Sequence, residues 1–97
     1  MKTLEEMKRI LTSHKIELQK RYKVKEIGLF GSYVKNEQKK TSDIDILVEY
    51  SEVPDLITFI DLQNYLSELL DVRVDLVMKR ALKPNIGTRI LQEVVYI

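Results

Sequence analysis

Residues 43–50, Asp-Ile-Asp-Ile-Leu-Val-Glu-Tyr, open with acidic and apolar side chains in alternation, and no other segment constrains the chain as much. The pattern predicts a strand with Ile44, Ile46 and Val48 on one face and Asp43, Asp45, Leu47 and Glu49 on the other. Aspartate is depleted in strands, and two at i, i+2 point the same way with backbones about 6–7 Å apart. Two unit charges about 6 Å apart at an effective dielectric of about 20 repel by roughly 3 kcal/mol, a large share of a small domain's stability unless a cation offsets it. Mg2+ or Mn2+ suits this, because hard cations take carboxylate oxygens and keep waters that a phosphate can replace. For Asp43 and Asp45 alone, the alternative is an exposed edge strand whose charges block pairing with other chains.

Neighbouring segments favour the cation. The apolar run Leu29-Phe30 leaves through Gly31-Ser32, eleven residues before Asp43. At a strand-to-helix turn, free backbone N–H groups and the positive end of the helix attract anions, and the Ser32 hydroxyl can hydrogen-bond a phosphate. Downstream, Val72–Val77 alternates again, with Arg73 and Asp75 opposite Val72, Val74 and Leu76. Asp75 is a candidate third metal ligand or a general base, and three converging carboxylates fit a two-metal site. Lys35, Lys39 and Lys40 are mobile point charges within reach of the same phosphates, or simply part of a solvated loop.

The remaining pattern predicts an amphipathic helix over 3–21 with Thr3 and Glu6 as a capping box, a strand over 24–30 and a helical turn over 32–36. A helix from Pro54 to about residue 70 and a last helix over 85–94 follow. Gly28, inside the first strand, implies close approach by a neighbouring segment. His14 reads as a partly buried helix histidine rather than a catalytic base, and Tyr22, Tyr33, Tyr65 and Tyr96 as packing residues. The fold class is α/β, with helices on the apolar face of a small mixed sheet and an open face bearing the carboxylates. The tail Val94–Ile97 reads as core packing, or as a contact surface.

The 97 residues suit one domain, 1–97. Sixteen basic and fifteen acidic residues nearly cancel, so no global field favours long nucleic acid. The clusters Lys20, Arg21, Lys23, Lys25 and Lys79, Arg80, Lys83, Arg89 read as solvated faces. No apolar run is long enough to cross a bilayer, and the first residues carry no secretory pattern. With no cysteine, disulfides and thiolate metal sites are excluded, and a cytoplasmic location is expected.

Gly31-Ser32-Tyr33, the spacing to Ser42-Asp43-Ile44-Asp45-Ile46-Leu47-Val48, and Val74-Asp75-Leu76-Val77 together resemble the polymerase-β-type nucleotidyltransferase superfamily. Within it the chain is similar to the minimal nucleotidyltransferases, the antitoxin half of HEPN–MNT toxin–antitoxin pairs. The resemblance runs over nearly the whole chain, through Ala81-Leu82-Lys83-Pro84 and the Val95-Tyr96-Ile97 ending. It implies transfer of AMP from ATP, with Mg2+, to a tyrosine of a HEPN-domain toxin. Asp43 and Asp45 would be metal ligands, Asp75 the third carboxylate, and Gly31, Ser32, Ser42 and Lys35 nucleotide contacts. Lys35-Asn36 stands where the family usually has Arg-Gly; Asn tolerates left-handed backbone and Lys keeps the charge. So small a domain has no evident acceptor-binding subdomain, which places the acceptor on a partner or a second copy. Two other functions stay open: neutralisation of the partner by binding alone, and transfer to a small molecule or a nucleic-acid end.

Overall fold

The computed structural model describes residues 2–35 and 43–97. In chain order these form α1 (Leu4–Ser13), α2 (Lys15–Tyr22), β1 (Val24–Phe30), a 3₁₀ turn (Gly31–Tyr33) and β2 (Ile44–Tyr50). Then come α3 (Leu56–Leu70), β3 (Val74–Met78), a second 3₁₀ turn (Lys79–Ala81), α4 (Pro84–Glu93) and β4 (Val95–Tyr96). The sheet order is β3-β2-β1-β4, with β1 antiparallel to β2 and β4, and β2 parallel to β3.

Strand alternation fixes which face is covered. Ile44, Ile46 and Val48 of β2, Ile27 and Leu29 of β1, and Val74 and Leu76 of β3 are buried together with Met7, Leu11, Leu18, Leu62, Leu66 and Leu70 of the first three helices. Each fully buried side chain of this size stabilises the fold by about 1.5–3 kcal/mol. The outer edge of β3 is closed by α3: Val74 N–H donates to Ser67 Oγ at 3.1 Å and Leu76 N–H to Gln63 Oε1 at 3.2 Å. Two edge amides that could recruit a foreign strand are thereby satisfied.

Several boundaries differ from the sequence expectation. The helix expected over 3–21 breaks at His14, whose φ of −106° and ψ of 6° are not helical. Thr12 and Ser13 hydroxyls donate to the Lys8 and Ile10 carbonyls, and His14 N–H turns back to Leu11 O, so the last turn of α1 tightens and stops. The apolar stripe nevertheless continues across the break through Leu11, Leu18 and Tyr22, all buried. Pro54 precedes α3 rather than opening it; Asp55 is the N-cap, accepting from Thr58 N–H at 2.7 Å. The proline at the first helical position is Pro84, in α4. Strand β3 runs two residues later than expected at its start, and Asp43 lies just before β2.

The tail forms a fourth strand that sequence periodicity did not identify, since two residues carry no period. It pairs Tyr96 with Gly28 and Val95 with Leu29. Gly28 permits this closeness, as its sequence position implied: a Cβ there would lie 2.6 Å from Val94 Cγ2 and 3.2 Å from the Val95 carbonyl oxygen. The carboxylate face is therefore covered over part of its width, and Leu47 and Phe30 on that face are buried. No helix among the described residues is long and apolar enough to cross a membrane.

Gly28→Ala is expected to destabilise the fold by about 1–3 kcal/mol, the usual cost of overpacking, lowering Tm by roughly 4–8 °C per kcal/mol. Val94→Ala added to Gly28→Ala should recover part of that loss in thermal melts. Strictly additive losses would show that the tail does not set the space at Gly28.

Candidate active site

Three segments meet at the end of the sheet where β1 stops and the parallel strands begin. β1 ends in the 3₁₀ turn at Gly31, β2 begins at Ile44 and β3 at Val74. The parallel register sets Asp45 directly beside Asp75, and the antiparallel register sets Asp45 beside Phe30, the residue before Gly31. The Ile44 N–H donates to Arg73 O at 2.9 Å, which locks the register where it matters for the carboxylates. Two neighbouring strands lie about 4.8 Å apart, so the two aspartates face the same space.

Gly31 has a φ of +81°, a left-handed value that side-chain-bearing residues rarely adopt. A Cβ at Gly31 would collide with the Asp45 carboxylate. Glycine is thus required twice over, by backbone conformation and by the approach of the turn to the acid. The turn is closed by Val34 and Lys35 N–H groups, both donating to Gly31 O at 3.1 Å.

Asp45 is half-buried, whereas Asp43 and Asp75 are exposed. Burial, followed by the charges of Asp75, Asp43 and Glu93, pushes the Asp45 carboxyl up to about 6. Glu93, in the last turn of α4, is a site residue that sequence reasoning missed. It forms an ion pair with Lys35, Nζ to Oε2 3.2 Å. Its sequence signal was thin: one acid at the end of a helix, next to an apolar tail whose pairing with β1 was not evident.

Of the expected site residues, Asp45, Asp75 and Gly31 come together, Asp43 adjoins them at the start of β2, and Lys35 reaches the same region through Glu93. Ser42, Asn36, Lys39, Lys40 and the Ser32 side chain lie outside the described residues. No three His, Asp or Glu side chains among the described residues are gathered closely enough to enclose an ion. The donors are all carboxylate oxygens on an open face, which fits a hard cation that takes one or two carboxylates and completes its shell with water and phosphate. A cavity of about 280 Å³ lined by Val48, Tyr50, Val53, Pro54 and Met78 lies at the far end of β2 and β3, away from the three aspartates. Within the two basic clusters, Arg21 pairs with Glu17 and stacks over Tyr22 and Tyr65, and Lys79 reaches Glu26 and Tyr96.

A small mixed sheet that sets a glycine turn against paired strand carboxylates is suited to cations and phosphates. Residues 11–97 match the family described as "Nucleotidyltransferase domain", and the chain belongs to it. Protein adenylyltransferase MntA of Thermococcus cleftensis is 57% identical over 97 residues, covering 100% of this chain and 98% of that protein. A chain in the crystal structure of a toxin–antitoxin with AMP-PNP matches with a TM-score of 0.72 and 31% identity, over 87% of this chain and 69% of that one. A second match is in the complex of the tri-AMPylated Shewanella oneidensis HEPN toxin with MNT antitoxin, with a TM-score of 0.66 and 27% identity, over 93% of this chain and 70% of that one.

The raised Asp45 carboxyl gives a pH prediction. Because the folded state holds this proton more tightly than the unfolded chain, its stabilising contribution is present below about pH 4 and is lost as pH rises through about 6. Asp45→Asn removes that loss. After allowance for solvent screening at this partly exposed site, the variant should be about 1–2 kcal/mol more stable than the native chain at pH 8 without divalent cations. The gap should close near pH 4 in thermal melts; a gap independent of pH would contradict the electrostatic origin.

Proposed function

We propose that this chain is a cytoplasmic protein adenylyltransferase that moves AMP from ATP to a tyrosine hydroxyl of a partner HEPN-domain toxin, and so acts as its antitoxin. Residues 1–97 are read as one catalytic domain. The observation that carries the proposal is the pairing of Asp45 with Asp75 while Asp45 lies against Gly31, which gives carboxylates and a phosphate-accepting turn one common space. The likeness to MntA and to toxin–antitoxin complexes supports the choice of AMP and of a protein acceptor.

In this reading Asp43, Asp45 and Asp75 would hold Mg2+ or Mn2+, with one or two carboxylates to an ion, and Gly31, Ser32, Ser42 and Lys35 would hold the triphosphate. A bound divalent cation supplies the positive charge that lets a triphosphate approach carboxylates and that stabilises the leaving pyrophosphate. The chain's own residues orient the α-phosphorus. The glycine turn fixes the triphosphate by backbone amides, and Lys35 adds a mobile charge. The tyrosine oxygen attacks the α-phosphorus, the α–β phosphoanhydride bond breaks, and the phenolic proton passes to a carboxylate. Asp75, exposed beside Asp45, would accept it where it is not itself a metal ligand. The acceptor tyrosine is brought by the partner, because among the described residues Asp43 and Asp75 at the carboxylate end of the sheet are exposed.

The test is intact mass of the partner toxin after incubation with ATP, Mg2+ and this protein. The expected result is an added AMP mass that falls by about a hundredfold or more in rate with Asp45→Asn, since removal of a metal-holding carboxylate forfeits several kcal/mol of transition-state stabilisation. A stable complex with no mass change would replace transfer with neutralisation by binding, and an undiminished rate for Asp45→Asn would sink the assignment of Asp45.

A further inference from the structure

The Lys35–Glu93 ion pair joins the turn after β1 to the last turn of α4 and, at 3.2 Å, is the shortest ion pair among the described residues. Its two side chains are 43% and 26% exposed, so it sits at the rim of the site, neither buried nor free in solvent. Glu93 also lies near enough to Asp45 for its charge to oppose ionisation there. The pair therefore ties the Lys35 ammonium to an acid whose own charge is felt at Asp45.

We propose that Glu93 is a positioning residue that holds Lys35 in the nucleotide-free protein and releases it to the triphosphate when a nucleotide binds. A lysine ammonium is a compact charge on a flexible stem and can exchange partners without moving the backbone. A half-exposed pair is weak enough to exchange, whereas a triphosphate presents several anionic oxygens to the same ammonium. While the pair is made, Lys35 is tethered to the end of α4. Once Lys35 leaves, Glu93 faces the carboxylates unpaired, which opposes the exchange; nucleotide affinity is thereby held below what Lys35 alone would give.

This inference rests on the nucleotide-transfer reading, and its test separates the two. Equilibrium binding of a non-hydrolysable ATP analogue with Mg2+ would be measured by calorimetry for the native chain, Glu93→Gln, Lys35→Met and the double variant, with thermal melts of each. Glu93→Gln is expected to tighten binding about two- to five-fold, the scale of a partly exposed ion pair. Lys35→Met is expected to weaken it, and most of the Glu93→Gln gain should vanish in the Lys35→Met background. A purely structural role for Glu93 would not give that coupling. Unchanged or weaker binding by Glu93→Gln, or the same gain in both backgrounds, would overturn the exchange while leaving the transfer reading intact. Failure of the native chain to bind the analogue would remove both. Glu93→Asp, which keeps the charge with a shorter reach, replaces the amide if that variant does not fold; it should bind more tightly than the native chain, and equal or weaker binding would again overturn the exchange.

Discussion

The burial of Ile44, Ile46 and Val48 against the first three helices is the constraint on which the site depends. Because side chains alternate along a strand, burying that face fixes Asp45 on the other, and the parallel register with β3 then sets Asp75 beside it. Two ionised carboxylates at about 5 Å and an effective dielectric of about 20 repel by roughly 3 kcal/mol. The three residues of β2 on the helix-covered face contribute roughly 5–8 kcal/mol, an upper estimate because the unfolded chain is already partly collapsed. Packing wins, so the repulsion cannot be relieved by a register slip. Burial first, and this repulsion second, raise the proton affinity of Asp45.

Two glycines let other segments close on this frame. Gly31 brings the turn after β1 onto the Asp45 carboxylate, and Gly28 lets the Val94 side chain pack against β1 while β4 pairs at its edge. The second contact has an electrostatic consequence. By drawing the end of α4 over the sheet, it carries Glu93 toward Asp45 and into contact with Lys35. Without the close approach at Gly28, the acid that ends α4 would have no fixed relation to the acids that begin β2 and β3.

The parts of the fold legible in the sequence are those with a period. β1, β2, α3 and the mixed α/β arrangement followed from alternation and helical spacing, and Gly28 was readable as a point of close approach because glycine is otherwise costly inside a strand. Asp45, Asp75 and Gly31 were legible for a different reason: their residue types are disfavoured in strands unless chemistry or geometry requires them. What escaped lacks a period or depends on tertiary contact. The break at His14 leaves the apolar stripe in phase, so a hydrophobic pattern cannot register it. β4 has two residues, and its pairing depends on where α4 ends. Glu93 is ordinary as a helix residue and acquires meaning only when α4 docks.

The charges at the site explain why its face is open. Among the described residues, Asp43, Asp75 and Glu93 all act on Asp45, and Lys35 pairs with Glu93. The local balance is therefore strongly negative, and an anionic triphosphate approaching alone meets repulsion from every carboxylate. In the proposed reading a divalent cation would reverse the sign of the encounter, and a hydrated Mg2+, which gives up its waters reluctantly, would need the room that an exposed sheet face gives. The rigid carboxylates would then set where the positive charge stands, and the flexible Lys35 would follow the phosphates.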